Sequence, residues 1–106
     1  MEKRDTGRLP KRHFVRFGKG LPEYIGFTGD VSPTGIFIKT SNVFEPGTLL
    51  NIELTLPNNR IVSVQGHVVW ARRIPPNLIR FIKKSGMGIH LAQIPEDYRH
   101  FIRGLR

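Results

Sequence analysis

The sequence of 106 residues contains no cysteine, so disulfides, thiolate nucleophiles and cysteine-based metal sites are excluded together. Acids are scarce, with eight Asp and Glu against 17 Lys and Arg, which leaves a formal net charge of +9. No apolar run approaches the roughly 20 residues that a membrane helix needs, which argues against membrane insertion. Met1 to Asp5 is charged with no apolar stretch behind it, so no secretory signal is expected and a cytoplasmic location is expected. What is present suits one small domain: 39% hydrophobic residues are too many for a disordered chain and enough for one core.

The positive charge is unevenly placed. Residues 1 to 20 hold seven basic groups (Lys3, Arg4, Arg8, Lys11, Arg12, Arg16 and Lys19) against Glu2 and Asp5, and residues 72 to 84 hold five with no acid. The rest of the chain is close to neutral. Clustering of this kind favours an anionic partner over general solubility, although charge alone does not say which anion. Residues 1–11 are expected to form a flexible basic arm ahead of a domain over 12–106.

Period-two alternation dominates the middle of the chain. Leu50, Ile52, Leu54 and Leu56 alternate with Asn51, Glu53 and Thr55, which predicts a strand with one buried face from Thr48 to Leu56. Pro57-Asn58-Asn59 is turn chemistry and joins it as a hairpin to Arg60 to Arg72, where Val62, Val64, Val68 and Trp70 share a face. Gly66 midway predicts a bulge or bend. Further strands are expected at Arg12 to Phe17, Tyr24 to Val31, Gly35 to Thr40 and Gly86 to Ala92. Six short strands predict an antiparallel sheet, and curling it closed buries the apolar face and the edges together. Asn77 to Lys83 reads as a short helix in a long loop. Pro95 at the first helical position, Glu96 and Asp97 behind it, and Tyr98, Phe101, Ile102 and Leu105 at helical spacing predict a terminal amphipathic helix. It packs on this domain or on a second copy.

The most informative local pattern is Asp30-Val31-Ser32-Pro33-Thr34-Gly35, followed at once by Ile36-Phe37-Ile38. Asp and Ser two apart at a strand end point the same way, and the glycine allows close approach to the backbone. A carboxylate there suits paired N–H donors such as a guanine edge, while the same residues also spell a plain polar turn. Upstream, Arg8-Leu9-Pro10-Lys11-Arg12 is an Arg-x-x-x-Arg, and guanidinium forks suit phosphates and purine edges. Arg12-His13-Phe14-Val15-Arg16 repeats the pattern in an overlapping register.

These two motifs in this order, ahead of six β runs and a terminal helix, resemble the PilZ domain family over about Arg8 to Leu105. Val68-Val69-Trp70 and Gly86-Met87-Gly88-Ile89 are similar to that family as well. The resemblance implies an all-β, six-stranded antiparallel β-barrel of split-barrel type with a C-terminal α-helix, acting as a receptor for the bacterial second messenger cyclic di-GMP. It implies that Arg8 and Arg12 contact the phosphates and guanines, and that Asp30, Ser32 and Gly35 form the opposite side. Arg4, Arg16 and Gly88 are additional candidates. The ligand would be the nucleotide with no further cofactor. Closure of the basic arm would signal to a downstream protein, with residues 72 to 85 as one docking surface. The resemblance is compatible with a monomer or a ligand-dependent dimer.

Other chemistry is poorly provided for. His13, His67, His90 and His100 lack metal-site spacing, and His67 and His90 fall out of phase with the apolar face of their strands. No Gly-x-Ser-x-Gly, Walker loop or paired-carboxylate pattern occurs, so an enzyme is not expected. Trp70, Phe37 and Phe81 read as packing residues. Two alternatives stand beside the receptor: a nucleotide-independent protein interaction module, and a small nucleic-acid-binding barrel using Phe14, Phe17, Tyr24 and Phe27. The intact motifs argue against the first, and the four aromatic residues named for the second could equally be core.

Overall fold

In the computed structural model, which describes residues 12–73 and 85–105, the strands follow in chain order as β1 (Phe14–Gly18), β2 (Tyr24–Val31), β3 (Gly35–Lys39), β4 (Leu49–Thr55), β5 (Ile61–Arg72) and β6 (Gly86–Gln93). They pair antiparallel in the order β1-β2-β3-β6-β5-β4 and close into a barrel. Alternation drives this closure. Val15 and Phe17, Ile36 and Ile38, and Leu50, Ile52 and Leu54 all point inward and are buried, while their neighbours face out. The predicted β4–β5 hairpin forms, with Leu54 opposite Val62 and Ile52 opposite Val64. Its turn is completed by Asn59 at φ 68°, a left-handed conformation that asparagine tolerates better than most residues.

The alternation is broken three times, and each break changes which way later side chains face. Across β2 and β3, Thr28 pairs with Ile38 but Asp30 pairs with Phe37, so Gly29 is one residue too many. Across β5 and β6, Val68 pairs with Ile89 but Trp70 with Gly88, which makes Val69 the extra residue. The third shift falls at Gly66, as its position predicts, with Ala92 of β6 as the extra residue. An inserted residue reverses the in–out phase beyond it.

The second break corrects an expectation. Period two from Val62 through Val68 places Trp70 inside, whereas the bulge at Val69 turns it out, where it is 45% exposed. The strand expected from Arg12 begins at Phe14, and Arg12 and His13 precede it.

The helix α1 (Glu96–Gly104) packs on its own domain: Tyr98, Phe101 and Ile102 join the same buried cluster as the strands. Pro95 sits one position earlier than predicted, as the N-cap, with its carbonyl accepting from the Tyr98 and Arg99 N–H groups at 3.1 Å each. Leu105 is the C-cap and packs against the core from just past the last turn. Glu96 pairs with Arg103 at 3.2 Å and Arg99 at 3.7 Å, but these exposed pairs contribute little, about 0.5 kcal/mol each. The helix expected within residues 77–83 lies outside the described residues. No helix among the described residues is long and apolar enough to cross a membrane.

Burial of the β4 face carries much of the fold. Leu54 is fully buried between β1 and β5 partners Val15 and Val62. Leu54→Ala is expected to lower unfolding free energy by about 3 kcal/mol, read as an earlier urea midpoint with unchanged slope.

Candidate ligand-binding site

Asp30 reaches the outer surface because of the bulge at Gly29. Thr28 is buried, so strict alternation from it puts Asp30 inside; the extra residue sends Asp30 outward and Val31 into the core. The chain then turns through Ser32 to Gly35. Ser32 Oγ accepts from the Gly35 N–H at 3.0 Å and the Thr34 N–H at 3.3 Å, and the Ser32 N–H donates to the Gly35 carbonyl at 2.9 Å. Ser32 therefore builds the turn as well as facing the surface. Gly35 answers first to the barrel: a Cβ there would lie 2.8 Å from the Ile89 carbonyl of β6, so the absent side chain lets β3 and β6 pair. That duty differs from the expected one of leaving room for a ligand.

Behind this turn lies a platform of two rings. Phe37 and Trp70 stack with centroids 5.3 Å apart and planes inclined by 21°. Glycines make the space beneath them. A Cβ on Gly29 or Gly86 would strike the Phe37 ring, and one on Gly88 would strike the Trp70 indole. Three glycines from β2 and β6 thus allow two large rings to lie flat on a sheet face, where side chains would otherwise hold them off.

The turn and the platform border one open pocket of about 370 Å³. Asp30, Ser32, Gly35 and Gly88 all line it, so the structure brings together four of the residues singled out in the sequence. Phe37, Trp70, Val69 and His90 join them. Sequence reasoning assigned Phe37 and Trp70 to packing and His90 to the surface. The signal that exposes them is glycine spacing: Gly86 and Gly88 alternate on the outer face of β6, with Gly88 opposite Phe37 of β3 and Trp70 of β5 and Gly86 beneath the Phe37 ring. A second pocket of about 380 Å³ on β4 and β5, bordered by Asn51, Gln65 and Gln93, contains none of the predicted residues.

Arg12 lies outside that lining, over a ring of the same strand that contains Asp30. Its guanidinium carbon sits 4.3 Å from the centre of the Phe27 ring, and Phe14 packs edge-on to the same ring at 5.9 Å. Phe27 is on the outer face of β2, three residues before Asp30. A guanidinium held over an aromatic face keeps its hydrogen-bonding edge available while gaining about 0.5–1 kcal/mol. Arg16 is exposed opposite Ile25 and Glu53. Antiparallel pairing carries β1 away from Asp30 as it passes from Phe14 to Arg16, a shift of roughly 7 Å. Arg4 and Arg8 lie outside the described residues. Of the four aromatic residues considered for nucleic acid, Phe17 is in the core, while Phe14, Tyr24 and Phe27 are on or near the surface of β1 and β2.

Comparison with known proteins bears on the family and the fold. The PilZ domain family matches residues 2–105. The chain belongs to the PilZ domain family. Two solved structures have the same fold as this PilZ domain. One is the Bacillus subtilis inhibitor of motility, MotI/DgrA, at TM-score 0.74 and 17% identity, covering 99% of this chain and 50% of that one. The other is the PilZ domain of CeSA from a cellulose-synthesizing bacterium, at TM-score 0.60 and 18% identity, covering 92% of each chain. This PilZ domain spans half the length of the motility inhibitor. No curated protein matches the sequence.

Because Trp70 is the one tryptophan, the platform can be followed by fluorescence. Gly88→Ala pushes the indole off its seat. The expected result is a shifted emission maximum with a stability loss of about 1 kcal/mol or less, since the displaced group is a half-exposed side chain. An unchanged spectrum in the folded variant would mean that the ring does not rest on Gly88.

Proposed function

We propose that this PilZ domain binds cyclic di-GMP on the outer face of the barrel, at the pocket between the Asp30–Gly35 turn and the Phe37–Trp70 platform. The observation that supports this most is the meeting of a carboxylate, a hydrogen-bonded turn and an aromatic plane in one pocket, with Arg12 on the same side of the barrel. Each part suits one part of the ligand. Asp30 accepts from guanine N–H groups, the Trp70 ring offers a stacking face for a base, and Arg12 takes phosphate oxygens through its fork. Arg8 joins Arg12 in this reading and completes the Arg-x-x-x-Arg, with Arg4 as an additional candidate. The register using Arg8 and Arg12 is preferred over Arg12 and Arg16 because β1 leads away from Asp30 after Phe14.

The action is that of a receptor and adaptor, with no catalytic step. The barrel holds the nucleotide, residues 1–11 close over it, and a second protein reads the result. A role of this kind suits the company the fold keeps, which includes an inhibitor of motility and a domain of CeSA from a cellulose-synthesizing bacterium.

Calorimetric titration with cyclic di-GMP at roughly physiological salt is expected to give saturable binding. Arg12→Ala should weaken it at least tenfold, the loss of a charge-assisted pair of about 1.5–3 kcal/mol. Trp70→Ala should cost about tenfold by removing one stacking face. Absence of heat at about millimolar ligand, with no thermal stabilisation, would overturn the receptor reading. Tight binding of single-stranded oligonucleotides that rises with length and falls with salt would replace it.

A further inference from the structure

Helix α1 touches both halves of the proposed site. Tyr98 is fully buried, yet its hydroxyl donates to the Ser32 carbonyl at 2.6 Å and lies 3.4 Å from the Gly35 carbonyl. Those carbonyls belong to the turn whose side chains border the pocket. One turn further along, the Phe101 ring meets His13 edge-on with centroids 5.2 Å apart. His13 directly follows Arg12 and is buried. Its N–H donates to Thr28 Oγ1 at 2.8 Å, and its carbonyl accepts from the Thr28 N–H at 2.9 Å. Tyr98 and Phe101 touch each other at 6.0 Å between ring centres. Two residues one turn apart on one helix therefore link the Arg12 anchor to the Asp30–Gly35 turn.

We infer that α1 is a strut that sets the spacing between the two halves of the site, with Tyr98 as the positioning residue that holds the Ser32–Gly35 turn in its receiving conformation. This rests on the receptor reading above. Burial for its own sake needs only the ring: a phenylalanine fills the same volume, and the hydroxyl adds the tie to the turn. Burial also raises the phenol above its usual titration range, so it remains a donor throughout physiological pH. Coupling of this kind is reciprocal. A helix that orders the site is itself steadied when the site is filled, so occupancy becomes readable on the outer face of α1, where Arg99 and Arg103 are exposed.

The test is Tyr98→Phe in the otherwise unaltered chain. Loss of one hydrogen bond to the turn should lower cyclic di-GMP affinity about fivefold. Leu105→Ala is the control, because it loosens the end of the helix without touching the turn, and its affinity should match the wild type. In amide exchange, the nucleotide should slow exchange across residues 96–105 of the wild type and do so less in Tyr98→Phe. Equal affinity of Tyr98→Phe and wild type would overturn the inference. So would an equal loss in Leu105→Ala, which would assign the effect to general loosening. If the wild type binds no nucleotide, the receptor reading fails and the strut is judged on the free protein. There, Tyr98→Phe should speed exchange at the Ser32 and Gly35 amides while β4 and β5 are unaffected, and unchanged exchange at those two amides would overturn it.

Discussion

Everything in this structure depends on parity. A closed sheet with one buried face lets side chains alternate strictly in and out, so a residue's address is decided by whether its place along the strand is odd or even. In a barrel of six short strands a single inserted residue resets that address for all that follows. The insertion at Gly29 places Asp30 on the surface while keeping Thr28 and Val31 inside. The insertion at Val69 does the same for Trp70. The carboxylate and the indole that border the pocket are there because β2 and β5 each contain one residue more than their partners require.

The same parity explains what the sequence discloses. The six strands, the hairpin at Asn58-Asn59 and the amphipathic helix are legible because apolar residues repeat at the spacing of the element that buries them. The Asp30–Gly35 turn is legible because its residue types are specific to turns. Trp70 is misread for a physical reason: a bulge is a two-strand property, set by how Val68 and Trp70 of β5 meet Ile89 and Gly88 of β6. Counting along one strand does not reveal it. Gly35 is legible as a place of close approach, but not which group approaches, since that is the Ile89 carbonyl of a strand more than fifty residues later. The start of α1 is displaced by one residue because proline serves as well before the first turn as within it.

The candidate site is assembled from parts that are individually structural. Ser32 closes a turn, Gly35 admits a neighbouring strand, three glycines admit two rings, and Arg12 lies on Phe27. None of these contacts requires a ligand. Together they leave a carboxylate, a flat apolar surface and a guanidinium on one side of the barrel, already placed before anything binds. Such preorganisation lowers the ordering cost on the barrel side of the pocket, because these groups need not be immobilised anew.

Closure of the barrel has a bearing on how this protein meets others. Each of the six strands has a hydrogen-bonded neighbour on both sides. Strand addition, the commonest backbone-to-backbone route to both recruitment and aggregation, therefore finds no open edge among the described strands. A partner that meets the described barrel does so through the shape and charge of an outer face or of the helix, and specificity is then written in residues that can change without disturbing a single rung of the sheet.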